Sequence, residues 1–245
     1  LGVNLPYSTT TSSISESQYF AEGGSATDVS PGLSFSYIDV LNGTCPQVVN
    51  RTFTITDGCS YSSTATQAIT IQDLVAPTLT GTPYPGTTGN NGCKANAATV
   101  APFNATNAIQ GYSDNCMGPV TATLTNTNIT GTDCNWTVTY TFDIKDGCNN
   151  TLSGQTYSNT GSDQTPPTFT SCPTTITVNN VVGLCGRSVS YAAPTATDNC
   201  TGMLTILKVD GTGLMSGDFF PVGTTLQKFE TTDECGNTST CMFNV

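Results

Sequence analysis

The chain contains no histidine, one tryptophan, and six basic residues against 17 acidic ones among its 245 residues. Without histidine, the Ser-His-Asp and Cys-His catalytic arrangements, histidine zinc sites and the commonest general base near neutral pH are all excluded. The net charge of −11 opposes binding to nucleic acid or to an anionic membrane, and it favours divalent cations as partners. We therefore predict that the protein is not an enzyme, and we assign no catalytic residue.

A signal peptide is also lacking, as is any apolar run long enough to span a bilayer. The chain is therefore expected to be a processed product or a piece of a longer protein, without membrane insertion. Its 11 cysteines fit no CxxC zinc or redox pattern, and their density indicates an oxidising compartment. The sequence thus predicts an extracellular, cell-surface protein.

One short phrase occurs three times, as FTITDGC at 53–59, FDIKDGC at 142–148 and FETTDEC at 229–235. The spacings are 89 and 87 residues, which is too regular for chance. A period of this size indicates an array of similar modules.

A second repeated phrase marks the module boundaries, since DLVAPTLT begins at Asp73 and DQTPPTFT begins at Asp163. The prolines in both phrases prevent continued strand pairing and stiffen the crossing between modules. The predicted modules are 1–73, 74–163 and 164–245, and their array is expected to be rod-like.

Alternating apolar residues predict strands at 136–144 (WTVTYTFDI), 67–73 (QAITIQD) and 187–193 (RSVSYAA). The segment 13–22 (SISESQYFAE) predicts a short helical turn. Several short strands per module, separated by Gly, Asn, Asp and Pro, favour antiparallel sandwiches. The predicted fold class is all-β, with tandem immunoglobulin-like antiparallel β-sandwich modules in an extended array.

The same period predicts incomplete ends. Counting back about 90 residues from Asp73 places the preceding junction before Leu1, so the first module is expected to lack its opening strand. Asp233 should likewise be followed by a junction just beyond Val245. Either the sequence is cut from a longer array, or a strand from a neighbouring subunit completes the first module.

The positions of the cysteines within modules predict which of them pair. The predicted pairs are Cys45 with Cys59, Cys134 with Cys148, Cys93 with Cys116, Cys185 with Cys200, and Cys172 with Cys241. Cys235 has no partner in this scheme, because Phe220 and Pro221 occupy the place of Cys45 and Pro46. A Cys200 to Cys235 bridge is the competing arrangement.

The third module reads PTFTSCPTTITV, CGRSVSYAAPTATDNC, FPVGTT and DECGNTSTCMFNV, and it closely resembles the hyalin repeat, or HYR domain, over 166–245. Its DECGN cysteine departs from many hyalin repeats. Residues 1–165, with GTCPQVVNRTFTITDGC, CKANAATVAPF and DCNWTVTYTF, resemble repeats of the giant gliding-motility adhesins of Bacteroidetes-type bacteria. These resemblances imply an immunoglobulin-like extracellular module and a cell-surface adhesin stalk or filament, exported by type IX secretion.

Aspartates recur at corresponding places: Asp57, Asp146 and Asp233 end strands, Asp39, Asp114 and Asp198 precede turns, and Asp73 and Asp163 lie at junctions. Oxygen ligands gathered where modules meet would suit Ca²⁺. The candidate ligands are Asp73, Asp163, Asp57, Asp146, Asp114 and Asp198, with the two junction aspartates favoured. The alternative is that each aspartate only forms or caps a turn.

Three functions remain open on the sequence. The leading one is a structural and adhesive segment of a cell-surface adhesin, whose partners are neighbouring modules of a longer chain or adjacent filament subunits, with a surface glycan or protein as receptor. A filament subunit completed by donor-strand exchange is the second. A carbohydrate-binding module is the third, but Trp136 shares its strand face with Val138 and Phe142 and is predicted to lie in the core.

Overall fold

The computed structural model describes residues 4–29, 32–116, 118–200 and 202–245. It is 44% strand and 7% helix. The strands are β1 (Ser12–Ile14), β2 (Ser34–Asn42), β3 (Gln47–Thr56), β4 (Ser62–Ile71), β5 (Thr78–Leu79), β6 (Asn90–Asn91), β7 (Tyr112–Ser113), β8 (Thr121–Thr132), β9 (Asn135–Lys145), β10 (Thr151–Ser162), β11 (Thr168–Ser171), β12 (Gly186–Ser188), β13 (Thr195–Thr197), β14 (Thr205–Lys208), β15 (Phe219–Pro221), β16 (Leu226–Thr232) and β17 (Thr238–Asn244). The helical segments are α1 (Glu16–Ala21), a 3-10 turn (Lys94–Asn96), α2 (Ala97–Val100) and α3 (Ala105–Ala108).

Two compact units make up the chain. The first comprises Leu1–Thr82, Gly111–Ala122 and Ile144–Ser153, and the second comprises Pro83–Gln110, Thr123–Asp143 and Gly154–Val245. Residues of the sequence-defined second module therefore fall in both units. The division into modules at 1–73, 74–163 and 164–245 stays a prediction.

The first unit is built on an antiparallel sheet in the order β1-β2-β3-β4. Alternate residues of β2 and β3 turn inward, so that Phe35, Tyr37 and Phe53 form a buried cluster. Leu5 and Tyr19 complete this cluster from outside the sheet. The period of two in the sequence thus places one apolar face against the core.

Helix α1 supplies Tyr19 to that core and confirms the predicted helical turn. It begins with a capping box, in which the Gln18 amide donates to Ser15 Oγ at 3.2 Å and the Ser15 amide donates to Gln18 Oε1 at 2.9 Å. Both bonds satisfy amides that a short helix leaves without a helical partner.

A second sheet has the order β6-β10-β9-β8, in which β6 and β10 run parallel. The inward residues of β9 are all buried, and they are Trp136, Val138, Tyr140, Phe142 and Ile144. This confirms the strand predicted at 136–144 and the interior position of Trp136.

A third sheet, in the order β14-β16-β17, places Phe229, Cys241 and Phe243 in the core. Phe169 of β11 and Tyr191 pack against these residues from outside the sheet, so the apolar face is covered by a second layer. Two packed layers of antiparallel strands define a sandwich. The predicted all-β class with antiparallel β-sandwich architecture is therefore confirmed.

The strand predicted at 187–193 is shorter than expected, since β12 ends at Ser188. Beyond it the Val189 amide donates to the Asp218 carbonyl at 3.1 Å, and the Tyr191 amide donates to Ser216 Oγ at 2.7 Å. A turn rather than a strand accepts these bonds, so the ladder ends although the alternation continues.

Candidate metal centres

The first carboxylate cluster, defined as Asp73, Asp114, Asp146 and Cys116, lies within the first unit. Its three aspartates follow β4, β7 and β9, at or close to the strand ends. Carboxylate oxygens of Asp73 and Asp114 and the sulfur of Cys116 all lie within 4.8 Å of one another. Asp146 lines the same cavity, whose volume is about 100 Å³.

The second carboxylate cluster lies within the second unit and is defined as Asp133, Asp163, Asp198 and Asp233. Asp163 and Asp198 approach within 4.8 Å of each other and of Cys200. Because Cys200 is disulfide-bonded, only carboxylates offer charged ligand atoms here. The cavity of about 10 Å³ has room for one water-sized body.

An asparagine joins the parts of each cluster. Asn150 Nδ2 donates to the carbonyl of Asp73 at 3.1 Å and to Asp146 Oδ2 at 2.8 Å. Asn237 makes the equivalent pair of bonds in the second cluster, at 3.2 and 2.7 Å. The junction peptide is thereby tied to the turn that ends a strand.

Buried carboxylate oxygens in both clusters have no hydrogen-bond partner among the described residues. These atoms are Asp73 Oδ2, Asp114 Oδ1 and Asp198 Oδ1. The other oxygen of each carboxylate accepts a backbone N–H two residues further along, at 2.9 to 3.0 Å. Turn formation therefore explains one oxygen of each side chain and leaves the other one without a donor.

Two groups of the first cluster have shifted pKa values. The N–H of Val75 is the largest cause that holds the pKa of Asp73 below its ordinary value. Removal from water is the largest cause that raises the pKa of the Cys116 thiol, and the nearby Asp73 carboxylate raises it further. Neither ion pair found among the described residues involves a cluster; the pairs are Arg51 with Asp39 and Lys208 with Asp210.

Six aspartates were candidate ligands, and the structure gathers five of them into the two clusters. Asp57, the sixth, lines a separate cavity in the first unit together with Asp28. The placement of Asp39 is corrected, because Asp39 is a buried partner of Arg51 rather than a turn aspartate. Asp28 takes the corresponding place, as the phrase ATD at 26–28 and again at 196–198 could have indicated.

Four disulfides are found among the described residues. They join Cys45 to Cys148, Cys93 to Cys200, Cys134 to Cys235, and Cys172 to Cys241. Only the last is a predicted pair. The first and third are built alike, since each joins a cysteine between two hairpin strands to one in a turn more than 100 residues later, with Cα atoms 5.1 and 4.9 Å apart.

The other predicted pairs are corrected. They are Cys45 with Cys59, Cys134 with Cys148, Cys93 with Cys116, and Cys185 with Cys200. Cys235, predicted to lack a partner, is bonded, and the competing Cys200 to Cys235 bridge is not formed. Cys59, Cys116 and Cys185 are free and exposed. The physical reason is that disulfides require Cα atoms about 4.4 to 6.8 Å apart, and cysteines that are distant in the sequence meet this requirement here.

Trp136 is fully buried, and its Nε1 donates to the Gly92 carbonyl at 2.7 Å. It offers no face to a sugar ring, so the aromatic platform of a carbohydrate-binding module does not form around it.

Sequence reasoning missed Asp133 and the two joining asparagines, although Asn150 and Asn237 both lie two residues after a turn cysteine.

Residues 162–245 match the family model of the HYR domain, which confirms the resemblance seen at 166–245. Hyalin of Strongylocentrotus purpuratus is 41% identical over 101 residues, which is 41% of this chain and 8% of hyalin. Hyalin of Lytechinus variegatus is 38% identical over 102 residues, which is 41% of this chain and 18% of that protein. This chain thus spans less than a fifth of either relative.

Solved structures of cadherin-type ectodomains also show similarity. The protocadherin gamma B4 extracellular domain covers 86% of this chain with 14% identity and a TM-score of 0.27, over 46% of its own length. Extracellular cadherin domains 1–4 of protocadherin gamma B7 cover 87% with 11% identity and a TM-score of 0.27, over 66% of that chain. At these scores the likeness carries no argument.

Among the described residues, no helix has the length and apolar character needed to cross a bilayer.

Proposed function

We propose that this chain is a structural and adhesive segment of an extracellular surface protein. The HYR match at its C-terminal end, the four disulfides and the all-β sandwich fold support this role. The mechanism is mechanical, because covalent links between distant strand ends resist separation of those ends under load.

The finer proposal is that the parent protein is a bacterial cell-surface adhesin of the gliding-motility kind, exported by type IX secretion. The phrases quoted from residues 1–165 support it. Neighbouring modules of the same chain or adjacent filament subunits are the proposed structural partners, and a surface glycan or protein is the proposed receptor.

Calcium is the proposed stiffening ion. The observation that carries this step is the occurrence, in two clusters built alike, of buried carboxylate oxygens that no protein donor satisfies. Ca²⁺ accepts six to eight oxygen ligands in loose geometry, and it would relieve the repulsion between neighbouring carboxylates. Asp73, Asp114 and Asp146 would hold one ion, and Asp133, Asp163, Asp198 and Asp233 would hold the other. Each ion would fix a junction peptide against the turn that follows a strand.

Thermal unfolding of the full chain in Ca²⁺ and in EDTA tests this proposal. Binding at 100 times the dissociation constant stabilises a folded protein by about 2.7 kcal/mol. For a protein of this size, that corresponds to a Tm roughly 5 to 10 °C higher in Ca²⁺. Mg²⁺ at the same concentration should raise the Tm less, because it demands a tighter octahedral shell.

Matched variants locate the effect. Asp114→Asn and Asp198→Asn each retain an oxygen that accepts the turn N–H, yet they remove the charge from one cluster. Each should reduce the Ca²⁺ response, whereas Asp218→Asn, at an exposed turn aspartate outside both clusters, should leave it unchanged. Equal Tm values in Ca²⁺ and EDTA, together with no heat of binding by calorimetry, would contradict a calcium role.

A further inference from the structure

Three turns of this chain share one conformation, at residues 57–61, 146–150 and 233–237. In each turn the aspartate Oδ1 accepts the amides of the residues two and four positions later, at 2.8 to 2.9 Å. The fourth residue has a φ between 68° and 84° in all three. A cysteine is always the third residue, so the three turns present a sulfur in the same way.

Two of these turn cysteines are disulfide-bonded, and both take the same kind of partner. Cys148 joins Cys45, which lies between β2 and β3, and Cys235 joins Cys134, which lies between β8 and β9. The sequence separations within the two links are 103 and 101 residues. Cys134 follows Cys45 by 89 residues and Cys235 follows Cys148 by 87, so the two links repeat with the period of the repeated phrases. The remaining turn cysteine, Cys59 of the turn at 57–61, is free and exposed.

The cavity beside the turn at 57–61 is open, whereas the cavities beside the turns at 146–150 and 233–237 are largely filled. It has a volume of about 380 Å³, against about 100 Å³ and about 10 Å³ beside the other two turns. In the filled cavities, residues such as Asp73 and Asp163 enter from the preceding module. All the residues that line the open cavity lie between positions 25 and 63.

We propose that Asp28, Asp57, Cys59 and Tyr61, named here the open turn surface, bind another module of the same repeat type. The partner carries a cysteine between its hairpin strands, and Cys59 forms a disulfide with that cysteine as Cys148 does with Cys45. Tyr61, which is 78% exposed, occupies the place of Asn150, so its ring covers the arriving junction peptide in this contact. The inference rests on the proposed function, since it names the contact through which modules of an array join.

The covalent step is an oxidation, and oxidised glutathione or a protein disulfide is the class of oxidant it needs. The Cys59 thiolate attacks the glutathione disulfide, and one glutathione thiolate leaves. The partner thiolate then attacks the mixed disulfide at the sulfur of Cys59 and displaces the second glutathione. Two thiol protons pass to the two glutathione thiolates, so the products are one protein disulfide and two reduced glutathiones.

An extended chain tests the proposal. Residues 1–163, carrying Cys59→Ser, Cys93→Ser and Cys116→Ser, are placed before the full chain, so that Cys134 is the added hairpin cysteine. A Gly/Ser spacer of about 13 residues joins the two parts. With this spacer, the added Asp163 precedes Asp28 of the full chain by 41 residues, which is the separation between Asp73 and Asp114. After oxidation in a glutathione buffer, we expect peptide mapping by mass spectrometry to find the added Cys134 joined to Cys59.

The Cys45 to Cys148 disulfide of the added copy reports whether that copy folds. If it forms while the added Cys134 stays free, or pairs with Cys116 or Cys185, the proposal is overturned. The Ca²⁺ response measured on the same chain tests the proposed metal centres separately. A negative result for the Cys59 disulfide therefore does not decide whether the chain binds Ca²⁺, and the reverse also holds.

If the added copy does not fold, a measurement on the unextended chain tests whether Cys59 selects the hairpin cysteine. The Cys116→Ser, Cys185→Ser variant is mixed with the hairpin peptide of residues 121–145 and with a scrambled peptide that keeps its cysteine. The hairpin peptide should accumulate on Cys59 as a mixed disulfide at least tenfold more than the scrambled one. Equal accumulation overturns the proposal.

Discussion

At the scale of single residues, the ion pair between Arg51 and Asp39 is the least expected feature of this weakly charged chain. Arg51 is 1% exposed, and its Nε and Nη2 donate to the two oxygens of Asp39 at 2.8 and 2.9 Å. Its guanidinium lies 4.5 Å from the ring centroid of Tyr37. The Ser8 amide also donates to Asp39, at 2.9 Å, so the pair holds the N-terminal segment on the sheet.

Replacement of Asp39 by asparagine should destabilise the protein by about 3 to 5 kcal/mol at neutral pH, because the charge of Arg51 is left buried without an opposite charge beside it. Denaturant unfolding of wild type and variant measures this cost. The double replacement Asp39→Leu with Arg51→Met should cost less, since neither charge remains. An equal or larger loss in the double variant would contradict this account.

The pH dependence of the pair has a definite sign. Burial by itself raises the pKa of Asp39, but the hydrogen bonds from Arg51 and Ser8 and the charge of Arg51 outweigh it, so the pKa lies below 3.8. A carboxyl whose pKa falls on folding stabilises the native state above its ordinary pKa and loses that effect as the pH falls towards the lower one. The stability difference between wild type and Asp39→Asn should therefore shrink below about pH 4.

At the scale of elements, β9 and β10 enclose the indole of Trp136. A Cβ added at Gly161 of β10 would overlap the Trp136 ring and the Asn90 carbonyl. The glycine is therefore required by the close approach of strand and indole and not by a left-handed backbone.

Substitution of Gly161 by alanine should destabilise the protein by about 1 to 3 kcal/mol, because a packed core does not accept an extra methyl group without strain. Thermal unfolding with tryptophan fluorescence follows both the stability and the surroundings of Trp136. Gly147→Ala is the matched control, since a Cβ there meets no atom within 4 Å. Equal unfolding of the two variants would mean that β10 shifts easily away from the indole.

At the scale of the whole chain, the disulfides make one continuous covalent path. All four disulfides found among the described residues overlap in sequence, because Cys93 and Cys134 lie between Cys45 and Cys148, and Cys172 lies between Cys134 and Cys235. Force applied to the two termini therefore passes from Cys45 to Cys148, back to Cys134, and on to Cys235. Most of the chain lies off this path and carries no load.

A pulling experiment on the oxidised chain should extend only the residues on that path, which are about 70, to roughly 240 Å at about 3.4 Å per residue. After reduction, the full chain of 245 residues should extend to about 830 Å. Optical tweezers measure both lengths. An oxidised extension of more than about 400 Å, which pairs within modules would give, would contradict the observed disulfides.

The sequence by itself determined the features that depend on near neighbours in the chain. The alternation of β9 follows from the period of two in an extended strand, and α1 follows from the Ser15 to Gln18 capping box. The recurrence of aspartates at strand ends was equally visible, because a turn aspartate bonds the amides just after it.

Only the tertiary structure decided which cysteines meet. Cys45 lies 14 residues from Cys59 and 103 from Cys148, yet it bonds the distant one, because sulfur pairing depends on Cα separation in space and not along the chain. The prediction that Asp39 precedes a turn was wrong for the same reason, because no residue near Asp39 in the sequence indicates that Arg51 lies opposite it on the next strand. Local chemistry fixed the strands and turns, whereas the packing of strand ends fixed the partners.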